Sequence, residues 1–252
     1  MKKYFTILVL TIATLTLVTG CSTTDTTTTS TTATTSTSTT TQTSTTTETS
    51  TTSSTTTSTI QPGGVEYYPH SEGASWQYLV TVTSTTGAVY EFTYYQTFEG
   101  TTTVGQTTVQ KLPNSLDSDQ GQLIEVSDGY VKSYGTIGSP TIETSLILNF
   151  PLTLGASWIT LYGDVYGTTL EVKVDSFESL TVPAGTFECF KIMRSLAPKF
   201  GVPPAYVWYG ANVGMVKTSS PILSESGGTD QSSEVSFTVT GTMTYELINK
   251  NF

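Results

Sequence analysis

Glu234-Val235-Ser236-Phe237-Thr238-Val239-Thr240-Gly241-Thr242-Met243-Thr244-Tyr245-Glu246-Leu247 decides the fold class. Val235, Phe237, Val239, Met243, Tyr245 and Leu247 alternate with serine, threonine and glutamate, and a period of two over this length predicts a strand with one wet face. Gly241 interrupts the apolar series, as a bulge or bend in a curved sheet would. Outward from there the same alternation recurs. Tyr90, Phe92 and Tyr94 show it, and so do Leu170, Val172 and Val174 against Glu171, Lys173 and Asp175. Val182-Pro183-Ala184-Gly185 reads as a hairpin turn, with proline presetting φ and glycine free to turn left-handed. No segment carries a helical period. The expectation is an all-β domain from about Val65 to Phe252.

The domain repeats itself. Tyr68-Pro69 followed by Gly73-Ala74-Ser75-Trp76 returns, with identical internal spacing, as Phe150-Pro151 followed by Gly155-Ala156-Ser157-Trp158. Gly105 with Lys111 and Leu112 matches Gly185 with Lys191 and Ile192, and Gly129-Tyr130-Val131-Lys132 matches Gly214-Met215-Val216-Lys217. Two similar β-units follow, about 65–148 and 149–252, with Trp76 and Trp158 as core plugs. One unit alone would leave a short sheet with an open edge, so the two are expected to pair into one continuous curved antiparallel sheet or (half-)barrel.

Ahead of the domain the chain changes character. Met1-Lys2-Lys3 is a positive start, Tyr4 to Val18 is apolar apart from threonines, and Val18-Thr19-Gly20-Cys21 follows at once. Length and flanks are those of a signal peptide, residues 1–20, rather than of a spanning helix. The last four residues resemble the lipobox of prokaryotic lipoproteins, which implies cleavage before Cys21 and a diacylglycerol on its thiol. Two acyl chains anchor stably, at about 0.8 kcal/mol per buried CH₂. From Ser22 to Thr59 every residue is serine or threonine except Asp25, Ala33, Gln42 and Glu48. With nothing apolar to bury, residues 21–64 read as a disordered tether whose ends lie roughly 35 Å apart, open to O-glycosylation. The address predicted is extracytoplasmic, held to the cell membrane, or to the outer membrane where one exists.

A second resemblance rests on Phe150-Pro151-Leu152 with Gly155 and Trp158, then Val182-Pro183-Ala184-Gly185-Thr186-Phe187 with Lys191 and Ile192, then Trp208-Tyr209 with Val213-Gly214-Met215-Val216-Lys217. This pattern resembles exported β-proteins described as TapB-like. The resemblance implies a curved antiparallel sheet akin to the half-barrels that carry lipoproteins in bacterial envelopes, and it carries over no catalytic residue. In the first unit Thr103-Val104-Gly105 stands where the second has Val-Pro-Ala-Gly.

Chemistry is sparse. Twenty Asp and Glu stand against ten Lys and Arg, two of these in the leader, so nucleic acid is not an expected partner. The only histidine, His70, reads as a solvated loop residue, and Cys189, aligned with Val109, as a small hydrophobe in a sheet. Too few His and Cys exist for a zinc site, and Asp117-Ser118-Asp119-Gln120-Gly121 lacks the closing glutamate of an EF-hand and reads as a polar loop. No cofactor or metal is expected. Glu91, Glu99, Asp164, Glu171, Asp175 and Glu178 could contribute a hydrolytic acid pair on an envelope polymer, but no spacing singles out a pair. Aromatics are abundant: Tyr67, Tyr68, Tyr90, Tyr94, Tyr95, Tyr130, Tyr134, Tyr162, Tyr166, Trp208 and Tyr209. Their faces suit a sugar ring or an apolar pocket, with Trp208-Tyr209 a candidate rim patch of which alternation sends one residue inside. The reading is a non-enzymatic binding or structural module whose ligand is a lipid, a glycan or an envelope protein.

Overall fold

The computed structural model describes residues 62–161, 169–196, 200–226 and 236–252. The signal peptide, Cys21, the tether as far as Gln61, Tyr162, Asp164 and Tyr166 fall outside the described residues; the last residues assigned to the tether, 62–64, belong to the domain, since Gly63 is bonded to Leu152.

The fold is all-β, with two antiparallel sheets that do not close into a barrel. Thirteen strands follow the chain. The first unit holds β1 (Ser75–Ser84), β2 (Val89–Thr97), β3 (Thr101–Val104), β4 (Thr107–Leu112), β5 (Gln122–Val126), β6 (Tyr130–Thr136) and β7 (Ser139–Asn149). The second holds β8 (Ser157–Leu161), β9 (Thr169–Val182), β10 (Gly185–Leu196), β11 (Ala205–Gly210), β12 (Gly214–Ser226) and β13 (Ser236–Asn251). The eight-stranded sheet runs β2-β1-β13-β12-β11-β10-β9-β8, and the five-stranded sheet runs β3-β4-β5-β6-β7. β1 and β13 pair directly, from Ser75 opposite Asn251 to Ser84 opposite Gly241.

The sheet is divided where a continuous one was expected, and glycine supplies the reason. Between β2 and β3 the chain turns a corner at Phe98-Glu99-Gly100, with Gly100 at φ +57°. Phe98 still bonds Ala74 on one side (2.9 Å), while Glu99 already bonds Lys111 on the other (2.9 Å). The corresponding β9 has no glycine and stays unbroken over 14 residues. At the other boundary, β7 and β8 are joined by side chains: Ser145 Oγ donates to the Leu161 carbonyl (3.3 Å) and Trp158 Nε1 to the Leu146 carbonyl (3.2 Å).

The core lies between the sheets. β1 contributes Trp76, Tyr78 and Val80, β13 contributes Tyr245 and Leu247, and Leu112, Ile124, Val131 and Leu148 face them from the smaller sheet. Each such side chain, fully buried, is worth about 1.5–3 kcal/mol. A smaller cluster of Val104, Val109, Leu123 and Tyr134 forms separately within the five-stranded sheet. The strand around Gly241 carries the expected bulge, a register shift opposite Ile222 and Leu223, and an added Cβ at Gly241 would meet the Thr83 carbonyl oxygen at 2.4 Å. Glycine is required there because β1 and β13 approach so closely.

Two alignments need correction. Val104 pairs with Thr107 and Val182 with Gly185, so Gly105 is the first residue of its turn while Gly185 opens the following strand. Val109 and Cys189 are both buried, but in different clusters.

Ahead of β1 a short strap docks on the domain. Gly63 exchanges two hydrogen bonds with Leu152 (2.9 and 2.6 Å), and Tyr67 packs edge-on against Phe190 at 5.1 Å. The strap ends at Tyr68, which turns toward the space between the sheets.

Candidate functional site

That space is a partly open cavity of about 80 Å³. Its wall on the large sheet is aromatic because alternation sends side chains of several strands inward: Trp76 and Tyr78 from β1, Tyr94 from β2, Tyr245 from β13 and, beyond Met215 of β12, Tyr209 from β11. The rings touch in sequence. Tyr78 lies 6.3 Å from Tyr94 and 6.2 Å from Tyr245, and Tyr94 meets Tyr245 edge-on at 5.4 Å. Leu112 and Ile147 face them from the five-stranded sheet.

Polar tips in this wall are mostly committed. Trp76 Nε1 donates to the Val213 carbonyl at 2.7 Å and Tyr78 Oη to the Met215 carbonyl at 3.1 Å. Tyr245 Oη is buried without a partner. Burial raises the pKa of Tyr68, Tyr78, Tyr94 and Tyr245, so all four are neutral phenols at any physiological pH. Burial also raises that of Tyr209, against which the charge of Arg194 and a hydrogen bond from it act in the opposite direction.

Arg194, the chain's single arginine, is the residue that sequence reasoning missed. On β10 it follows Phe190 and Ile192 and precedes Leu196 on the inward face, and it is only 6 % exposed. Its Nη2 donates to the Ile147 carbonyl at 3.3 Å, while its Nε has no partner. Among the described residues no carboxylate lies within ion-pair distance of it; the two salt bridges are Lys191 with Asp175 and Lys217 with Glu246. The signal was present in Phe190-x-Ile192-x-Arg194-x-Leu196, a cation on an apolar stripe.

The residues singled out by sequence scatter. Glu91, Glu99, Glu171 and Asp175 are exposed, and Glu178 is half-buried. Glu178 accepts from Trp208 Nε1 (2.7 Å) and Ser176 Oγ (3.0 Å), and these bonds hold its carboxyl below the usual range, the Trp208 bond foremost. None of these acids lines the cavity. Trp208 and Tyr209 form no rim patch, being 8 % and 4 % exposed. Tyr209 enters the cavity, whereas Trp208 packs beside Tyr206 and Lys191. His70 is half-buried rather than solvated: its Nδ1 lies 3.1 Å from the Tyr68 carbonyl and its own carbonyl accepts from Gln110 Nε2 at 2.7 Å. Cys189 is fully buried, and burial pushes its thiol up to about 12. Asp117 caps a short turn by accepting from the Asp119 amide at 3.0 Å. Among the described residues no three of His, Cys, Asp or Glu cluster to hold a metal ion. What the cavity brings together is apolar surface, phenol donors and one permanent cation.

A family model described as DUF3108-like matches residues 165–221, which include Arg194 and Tyr209 and overlap the stretch that resembles TapB-like proteins. No curated protein matches the chain. Two solved structures are similar over 73 % of this chain and 98 % of their own: a candidate lipoprotein of Parabacteroides distasonis ATCC 8503, at 16 % identity and a TM-score of 0.36, and a candidate exported protein with a YmcC-like fold from Bacteroides fragilis NCTC 9343, at 12 % and 0.40.

Proposed function

We propose that the protein is a lipid-anchored, extracytoplasmic binding module that takes a small ligand into the cavity between its sheets and performs no chemistry on it. The observation that carries this reading is the cavity wall: aromatic and apolar surface around a buried, incompletely satisfied cation, with none of the candidate acids among the described residues in its lining. Pockets built to hold a ligand combine apolar walls with a few placed polar groups. Acid-pair hydrolysis needs two carboxylates about 5 to 10 Å apart across the substrate. A purely structural module would fill the space between its sheets. The anchor rests on Val18-Thr19-Gly20-Cys21 behind a charged, apolar leader, and the tether of serine and threonine would hold the domain away from the bilayer.

Native mass spectrometry of the whole mature lipoprotein, taken from its own host before and after denaturing extraction, tests the binding. A reproducible extra mass that leaves on denaturation is expected; a bare chain overturns the reading. Labelled palmitate should enter the wild-type chain and not Cys21→Ser, and label retained in that variant would refute the anchor.

A further inference from the structure

We infer that Arg194 is the recognition group for a monocarboxylate, whose charged end meets the guanidinium inside the cavity while its short apolar tail lies against the aromatic wall toward the mouth. The inference rests on the binding reading above and gives it a chemical class. A guanidinium is permanently charged and carries five donors in a planar fork. Here one of those donors reaches the Ile147 carbonyl at 3.3 Å, Tyr209 takes another bond, and Nε is left with none. A charge that is 6 % exposed is costly unless something compensates it. No carboxylate of the described residues does so.

The second orphan polar atom of the wall, Tyr245 Oη, is also able to donate. Each is a donor without an acceptor, and an anion with two oxygens in one plane matches the fork of an arginine. One cation neutralises one negative charge. A phosphate dianion would bring a second charge into a wall made of Trp76, Tyr78, Leu112 and Ile147, where nothing offsets it. Size limits the tail. A water needs about 10–15 Å³ of such space, so 80 Å³ holds a handful of heavy atoms, and a longer chain would emerge through the open side.

The test titrates the whole mature chain, made soluble by Cys21→Ser, with hexanoate, hexan-1-ol and inorganic phosphate by ligand-observed NMR. Saturable hexanoate binding at least tenfold tighter than that of hexanol, with no competition from phosphate, is expected. Arg194→Met keeps an unbranched stem, shortens it and removes the charge; it should abolish the preference for hexanoate while hexanol still binds. If Arg194→Met fails to fold, Arg194→Lys replaces it, and the loss of the planar fork should weaken hexanoate at least tenfold. Equal binding of hexanoate and hexanol, hexanoate binding indifferent to residue 194, or displacement by phosphate would overturn the carboxylate inference and leave the binding cavity standing. Failure of hexanoate to bind the wild-type chain would overturn the carboxylate inference, while the native mass spectrum decides the binding reading on its own.

Discussion

Gly73-Ala74-Ser75-Trp76 and Gly155-Ala156-Ser157-Trp158 are the same four residues in two surroundings. Locally they behave alike. Gly73 and Gly155 sit at φ +83° and +81°, each motif leads into a strand, and both tryptophans are buried. Beyond that they part. Trp76 stands on β1, flanked by β2 and β13 within the large sheet, and sends Nε1 to the Val213 carbonyl just ahead of β12. Trp158 stands on β8, the last strand of that sheet, and spends its Nε1 on Leu146 of β7, at the boundary between the sheets. The four residues set the turn and the first inward side chain; what lies opposite sets whether that side chain becomes a cavity wall or a fastening.

Removing each indole tests the division most strongly. Trp76→Ala and Trp158→Ala should each cost about 3–5 kcal/mol in urea unfolding, with different local signatures. Amide exchange should accelerate along β7 and β8 only in Trp158→Ala, and the cavity should enlarge only in Trp76→Ala. Identical exchange patterns would break the distinction. A milder pair isolates the hydrogen bonds. Trp76→Phe strands a buried carbonyl and should cost about 1–3 kcal/mol, whereas Trp158→Phe, at a longer and partly solvated bond, should cost about 1 kcal/mol or less. The most equal effects should come from the two turn glycines. An added Cβ meets nothing at Gly73 or Gly155, so Gly73→Ala and Gly155→Ala should each lose about 1–2 kcal/mol from backbone strain alone. A difference between them beyond experimental error in unfolding midpoints would mean that the turns are not equivalent.

How much of this was legible follows from range. Alternation along Val172–Val174 and Tyr245–Leu247 marks inward residues correctly, because a strand's period is a property of its own backbone. It fails at Tyr90, which is 53 % exposed, since β2 is an outer strand of its sheet and nothing covers its far end. The division into two sheets was hidden in Gly100, one glycine among 21, whose positive φ matters only because Lys111 and Ala74 pull its neighbours to different sheets. Arg194 was hidden in another way. A charge count treats every arginine as surface, and only the apolar stripe on which it stands reveals that this one is inside. Trp208 and Tyr209 illustrate the remaining limit: alternation separates the two correctly, yet Trp208 is covered on the outer face by Tyr206 and Lys191, which no short-range pattern specifies.

The pairing of β1 with β13 bears on how the molecule comes into being. The first long strand of the domain and its last lie side by side in the interior of the eight-stranded sheet, and β12 waits on the other side of β13. A chain made from its N-terminus therefore cannot finish this sheet before β13 exists. Until then β1 and β12 each present an unfilled edge. Contacts spanning almost the whole domain make for slow folding. They also keep this sheet unlocked until β13 arrives, so that the sixteen residues Ser236–Asn251 act as the key: loss of β13 would part β1 from β12 inside the sheet rather than trim its rim.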